Sequence, residues 1–452
     1  MSIPTHDVVQ PTAFKRFLSR KDLIVYGLAI LTPTAAYPVF GVIQQASHGH
    51  AALSYLAAMA AMLFTAVSYG RMASAFPVAG STYAYSSQGL HPIAGFLAGW
   101  GMILDYVLIP LLSTIYVSLT AERLLPQVPY AAWALLFSVA VTFTNARGME
   151  ATKRSNEILL LVMIAAAVWF GIAATLHIIG FAGFAGLFSG RAIVRPEAFR
   201  TSAIMFGASI ATLSYLGFDA VSTLAEDARD PRRDIGFATV FVCILQTLIC
   251  VAIVYLAVLV WPAEKYFPNV ETAILDISRV VGGTALFGFT SLVLLVAGVA
   301  SSLASQAGAS RLLYGMGRDG VLPRSIFAHL DPKYATPVRS IWLMGVLSFA
   351  GALFIGFQQI VELVNFGAFA GFVLVNLSVA GHYYVRRRER AGAKLFTNLV
   401  FPLLGAAICA ALWLSLSMDA KIAGLVWLAI GLCYLAWLTR GFSRPARLME
   451  LP

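Results

Sequence analysis

Two carboxylic acids stand in stretches that are otherwise hydrocarbon: Asp105 in GMILDYVLIP and Asp219 in SYLGFDA. A charged side chain at the centre of a lipid bilayer costs roughly 2.5–3.5 kcal/mol on insertion scales, so residues kept there usually act on a solute, an ion or a proton. No Lys or Arg lies at comparable depth in the same stretches. Each acid is therefore expected to meet a proton, an ion, a hydroxyl or a cationic substrate, and both are candidates for proton coupling. Tyr106 follows the first acid, and Tyr215 and Phe218 flank the second. An acid beside aromatic rings suits an ammonium group, which gains an ion pair and a cation–π contact together. Two plainer readings stay open. Asp219 can cap the half-helix that follows it, and Asp105 can be a protonated carboxyl bonded between helices.

The elements that position these acids are read from hydropathy. Of the 452 residues, 59% are hydrophobic and only 12% charged, with a mean hydropathy of +0.81. Apolar runs of about 20 residues recur from end to end, the pattern of an all-α integral membrane protein. Twelve spans are expected, at 23–46, 51–76, 93–120, 129–146, 156–179, 203–226, 236–261, 284–316, 338–357, 360–383, 397–416 and 421–439. They leave no room for a sizeable soluble domain. A cytoplasmic segment 1–22, a core 23–383, a basic loop 384–396, helices over 397–439 and a tail 440–452 complete the division. Within the core, two halves run over about 23–179 and 203–383.

Most of the 31 Lys and Arg fall in loops on the side that holds both ends of the chain. By the positive-inside bias both termini are cytoplasmic. The net charge of +10 is thus a topology signal and no mark of a nucleic-acid binder. The run YYVRRRER is read as a membrane anchor, with contact to anionic lipid headgroups as the sharper alternative. The polar N-terminus has no apolar core before a cleavage site, which speaks against a cleaved signal peptide. The four cysteines lie inside apolar runs, no spacing resembles a metal site, and no catalytic pattern is present, so neither an enzyme nor a cofactor is expected.

Two spans are interrupted. The first contains LTPTAAYPVFG, with Pro33 and Pro38, each removing a backbone donor. The sixth contains Gly217 two residues before Asp219. Backbone groups freed in hydrocarbon cost several kcal/mol unless protein, water or a ligand satisfies them. Broken helices five spans apart are the pair that opens each half of an inverted-repeat transporter, with the solute held at mid-depth between them. A simple proline kink is the bland alternative.

Weaker candidates lie elsewhere. Ser301, Ser302 and Ser305 in the small-residue span VASSLASQAGASRLL are either a sodium site or helix-packing glue. Asn365 and Phe366 of the tenth span are expected to reach the central cavity. The polar stretch 75–92 reads as an amphipathic cytoplasmic connector. Glu226, Asp227, Asp230 and Asp234 interleave with Arg229, Arg232 and Arg233 as a surface ion-pair cluster or gate.

The segments FPVAGSTYAYS, GFDAVSTLAEDARDPRRDI and ASRLLYGMGRDGVLP resemble the amino acid–polyamine–organocation superfamily, over essentially the whole chain. YGLAILTPTAAYPVFGVI, ILDYVLIP, LGFDAVSTLAED and NFGAFAGFVLVNLSV are similar to its bacterial putrescine importer branch. The resemblance implies a LeuT-like fold of two inverted five-helix repeats plus two peripheral helices. It also implies proton-driven uptake across the inner membrane. On that basis a diamine or polyamine would sit between Thr32, Pro33, Thr34, Ala35 and Tyr37 on one side and Tyr215, Gly217, Phe218 and Asp219 on the other. Asp105 and Asp219 would draw its ammonium groups, Tyr106, Tyr215, Phe218 and Phe366 would wall its alkyl chain, and Ser302 and Asn365 would complete the site. Two departures stand out. Amino acid permeases of this superfamily place a glycine-rich stretch at the first break to cradle a carboxylate, where this chain reads TPTAAYP. The fifth-span lysine of some proton-coupled members falls here on Val162 or Met163. An amino acid permease or exchanger of the same fold is the second reading, and a channel or transport-like sensor the third.

Overall fold

The structure, a computed structural model, describes residues 18–77, 81–148, 153–262, 265–318 and 323–441. Lys15, Arg16, Gly320, Arg444 and Arg447 lie outside the described residues, as do the side chains of Lys153, Arg154 and Glu226. Within the described part regular structure is helical, apart from one isolated parallel bridge between Leu18 and Ala228.

The first helix, α1 (Arg20–Leu31), begins at a reciprocal cap. Ser19 N–H donates to Asp22 Oδ2 at 2.9 Å, and Asp22 N–H returns to Ser19 Oγ at 3.4 Å. A non-helical stretch separates it from α2 (Phe40–Ala46). Then follow α3 (Ala51–Ala75), α4 (Ser81–Gly89), α5 (Pro92–Leu124), α6 (Tyr130–Ala146) and α7 (Lys153–Ala182). The second half runs α8 (Thr201–Ala211), α9 (Ala220–Thr223), α10 (Pro231–Val260), α11 (Ala273–Arg318), α12 (Arg324–Phe327), α13 (Val338–Phe354) and α14 (Phe357–Val379). Last come α15 (Ala393–Leu395), α16 (Phe401–Ser415) and α17 (Met418–Leu438). Pro92 and Pro231 occupy the first helical positions of α5 and α10, where a missing N–H does no harm.

Among the described residues nine helical segments are long and apolar enough to cross a membrane, and α6 and α13 are shorter apolar helices. α11 is interrupted at Gly283, whose φ of 65° is non-helical, just before residue 284 where the eighth span is expected to begin. The stretch 75–92 carries α4, which buries Thr82, Tyr85 and Ser86 on one face and leaves Gln88 exposed, an amphipathic arrangement.

The helices meet through small residues, as packing in lipid favours. Where α5 crosses α14, a Cβ built on Gly367 would stand 2.4 Å from the Gly101 carbonyl oxygen, so the two backbones touch. The last two helices are fastened from outside. Trp100 Nε1–H donates to the Trp427 carbonyl at 2.8 Å and Trp427 Nε1–H returns to the Trp100 carbonyl at 2.9 Å, with the rings stacked at 4.8 Å. Glu362 of α14, buried, accepts from Gln358 Nε2 at 2.9 Å and from Ser417 N–H at 2.8 Å, which anchors the start of α17.

The two ends of the bundle are closed differently. At the end holding the N-terminus, Leu18 N–H donates to Asp227 O at 3.1 Å and Arg229 N–H to Leu18 O at 3.0 Å. Beside this bridge Arg20 meets Asp234 at 2.7 Å. Asp234 of the charged cluster thus pairs with α1. At the opposite end the contacts are backbone-tight. A Cβ on Gly41 would lie 2.1 Å from the Val270 carbonyl oxygen. Ser54 Oγ donates to Ile204 O at 3.2 Å, and His50 Nε2 accepts from Arg195 N–H at 3.1 Å. In the loop before α15, Glu389 accepts from Lys394, 3.1 Å away, which holds its carboxyl below the usual range.

Candidate functional site

Both interruptions expected from the sequence are present, and they lie against each other. α1 stops at Leu31 because Thr32 takes a φ of 54°, a left-handed conformation unusual for a β-branched residue. The chain then turns through Pro33 and Pro38 before α2 begins. Within the turn, Ala35 N–H donates to Thr32 O and Tyr37 N–H to Thr34 O, each at 2.9 Å. α8 loosens into a 3-10 turn over Thr212–Tyr215, Leu216 extends, and Gly217 takes a φ of 109° before α9 starts. Phe218 N–H donates to Tyr215 O at 3.3 Å. Ser214 Oγ reaches across to the Ala35 carbonyl at 3.2 Å and so joins the two breaks.

The geometry favours positive charge. With two prolines, the first break has fewer N–H donors than carbonyl acceptors. Two helices, α1 and α8, bring their C-terminal ends to it, each carrying partial negative charge. Asp219 is partly buried at the head of α9, and the backbone N–H groups of Gly217, Asp219 and Ala220 face its carboxylate. Asp105 is 8% exposed and its Oδ1 has no hydrogen-bond partner. The two acids lie within electrostatic range of each other. Tyr106, beside Asp105, is within range of both, and at 43% exposure its ring is open.

Other expected residues are engaged elsewhere. Thr34 and Pro33 are buried, and Ser302 is buried in α11. Tyr37 points its hydroxyl at the Ala166 carbonyl of α7, 3.3 Å away. Tyr215 donates to the Tyr55 carbonyl at 3.1 Å and shares a hydrogen bond with Thr247 at 3.0 Å. Phe218 is enclosed, with Tyr69 at 5.5 Å and Phe372 at 5.3 Å between ring centroids. Asn365 is buried, its Nδ2 donating to the Ser209 carbonyl near the end of α8 at 2.7 Å while its Oδ1 has no hydrogen-bond partner. One expectation is corrected. Phe366 does not wall the site, because its ring packs on Trp413 at 5.0 Å and closes over Gly424. Phe366 lies among small and aromatic residues in NFGAFAGF, where the sequence gives no sign of facing. Ser305 Oγ bonds back to the Ser301 carbonyl at 2.7 Å within its own helix.

One polar residue at the breaks went unmarked in the sequence reading. Gln246 of α10 is fully buried, and its Nε2 lies 3.3 Å from Leu31 O, 3.0 Å from Thr32 O and 3.2 Å from Ser214 O. Its signal was available: it is the lone amide in the apolar run FVCILQTLICVAIV.

Comparison with known proteins adds an independent line. A family model described as amino acid permease matches residues 29–439. The low-affinity putrescine importer PlaP of Escherichia coli (strain K12) is 31% identical over 98% of this chain and 98% of its own. The methylthioribose transporter of Bacillus subtilis (strain 168) is 26% identical, covering 92% of this chain and 92% of that protein. The branched-chain amino acid permease BcaP of the same organism is 25% identical, covering 93% of this chain and 92% of that protein.

Proposed function

We infer that this chain, which belongs to the amino acid permease family and is a multi-pass membrane transporter rather than an enzyme, imports putrescine or a related polyamine. In this reading twelve spans form two inverted repeats of five plus two peripheral helices. The protein sits in a bacterial inner membrane with both termini cytoplasmic, and a proton accompanies the solute by alternating access. The substrate lies between Thr32, Ala35, Gly217 and Asp219, with Asp105 and Tyr106 on the facing helix.

One observation carries the reading. Two carboxylates share an apolar region with an acceptor-rich double break, and no basic residue of these spans neutralises them. A dication placed between them satisfies both. The alternative, an amino acid, has its own support in the kinship with amino acid permeases. It needs N–H donors for a carboxylate, and the N–H groups of Ala35 and Tyr37 are already bonded within the turn.

Counterflow in proteoliposomes separates the two. Labelled putrescine is expected to exchange against unlabelled diamines and resist displacement by amino acids, and a protonophore is expected to collapse net uptake. Displacement by a neutral or cationic amino acid at lower concentration than by any diamine turns the assignment to the amino acid reading.

Asp105→Asn tests the facing acid. Loss of one charge-assisted bond of about 1.5–3 kcal/mol is expected to raise the apparent KM for putrescine roughly 10- to 100-fold. The melting temperature should hold, since Oδ1 gives up no protein partner. A lowered melting temperature with unchanged KM assigns Asp105 to helix packing.

A further inference from the structure

Gln246 is held for the sake of its donors. Its amide orientation is fixed, because turning it over would set Oε1 against three carbonyl oxygens. In the orientation adopted, Oε1 is buried and has no hydrogen-bond partner. Two N–H bonds are shared among acceptors from both broken helices, Leu31 and Thr32 on one side and Ser214 on the other. These are carbonyls that the interruptions leave without their usual helical partners. A side chain with a mere packing role in an apolar helix has no reason to carry an amide there, still less one with an orphaned acceptor.

We propose that Gln246 is a positioning residue that ties the two interruptions into a single unit and so sets the length of solute the site accepts. This rests on the reading of the breaks as the solute site. The physical argument is direct. The space between the breaks is fixed by whatever spans them, and only two such links are seen among the described residues: the Ser214 hydroxyl to Ala35 O, and the Gln246 amide. The hydroxyl ties one point. The amide gathers the C-terminal carbonyls of α1 together with the turn that leads to Gly217. Without it only the Ser214 hydroxyl joins the two chain ends, their spacing loosens, and a diamine one methylene longer or shorter fits as well as the preferred one.

The test uses the full-length purified protein with Gln246→Met, which keeps an unbranched side chain of similar length and removes both donors. Hydrogen–deuterium exchange is expected to quicken at least fivefold in peptides covering both Leu31–Tyr37 and Ser214–Asp219. In counterflow with 1,3-diaminopropane, putrescine and cadaverine, the kcat/KM ratio between the preferred diamine and its neighbours is expected to shrink about tenfold. Unchanged exchange at either break overturns the tie. Faster exchange at both breaks with the wild-type ranking of diamine lengths overturns the claim on selectivity. A wild-type protein that exchanges none of the three diamines sinks the substrate assignment and the length claim with it, while the exchange data still decide the tie. Where the Met variant fails to fold, Gln246→Asn replaces it: its amide is one methylene too short to reach both helices, so the same two readouts apply.

Discussion

Transport of a dication by Asp219→Asn is expected to fall by at least about 100-fold, equivalent to ~3 kcal/mol, with the protein still folded. The expectation follows from how the carboxylate is placed. It lies partly buried at the head of α9 with the N–H groups of Gly217, Asp219 and Ala220 turned toward it. Asn keeps one oxygen to accept from those N–H groups, so the local turn survives. What it removes is the negative charge, and a buried ammonium left without its counter-ion loses most of its binding energy. Counterflow gives the transport loss, and thermal unfolding of the same sample gives the control. Near-normal uptake of putrescine by this variant shows that Asp219 is a cap and nothing more. The sign for the partner group is equally definite: Asp219→Glu, with the charge moved by one methylene, should recover part of the lost activity.

Gly217→Ala is expected to destabilise the protein by about 2–4 kcal/mol and to abolish transport. Two penalties act together. At a φ of 109° an L side chain is strained whatever its surroundings. The new methyl would also stand 2.3 Å from Ile30 Cγ2 in the last turn of α1, which must shift the very helix end that the second break lies against. Gly283→Ala separates the contributions, since Gly283 has a φ of 65° and open space around it. It carries the backbone strain alone, and its melting temperature should fall by less. Equal losses in the two variants, or a Gly217→Ala protein that transports normally, contradict the close approach of the two breaks.

The outline of the fold was legible because lipid imposes a simple rule. A segment that satisfies its own backbone and presents apolar side chains all round reads as a helix, and departures from that rule stand out. Pro33, Pro38 and Gly217 are such departures, and the interruptions fall where they predict. Asp105 and Asp219 are departures of a second kind, and they do share one region. Facing was not legible, for the same reason. Around Phe366, in NFGAFAGF, no polar stripe marks inside from outside, so nothing hinted that it turns toward Trp413, and Tyr37 lies in a turn with no helical period to show that it faces Ala166. Gly283 is a third departure, and the helix kinks there, just before the expected start of the eighth span. Gln246 could have been found by the rule that exposed Asp219, had an uncharged amide been given the weight of an acid.

The unequal ends of the bundle set a direction for its motion. The fastening beside the N-terminus consists of two backbone hydrogen bonds and an ion pair whose arginine is 39% exposed, worth about 1–4 kcal/mol in total. Thermal energy breaks a clasp of that size often, and dissolved salt weakens it further. The far end has ion pairs of its own, Arg123 with Asp276 and Arg195 with Glu197, but there the Gly41 backbone is also pressed onto the Val270 carbonyl. Raised ionic strength therefore loosens charged fastenings at both doors but leaves the Gly41–Val270 backbone contact in place, so the door beside the N-terminus is expected to yield first.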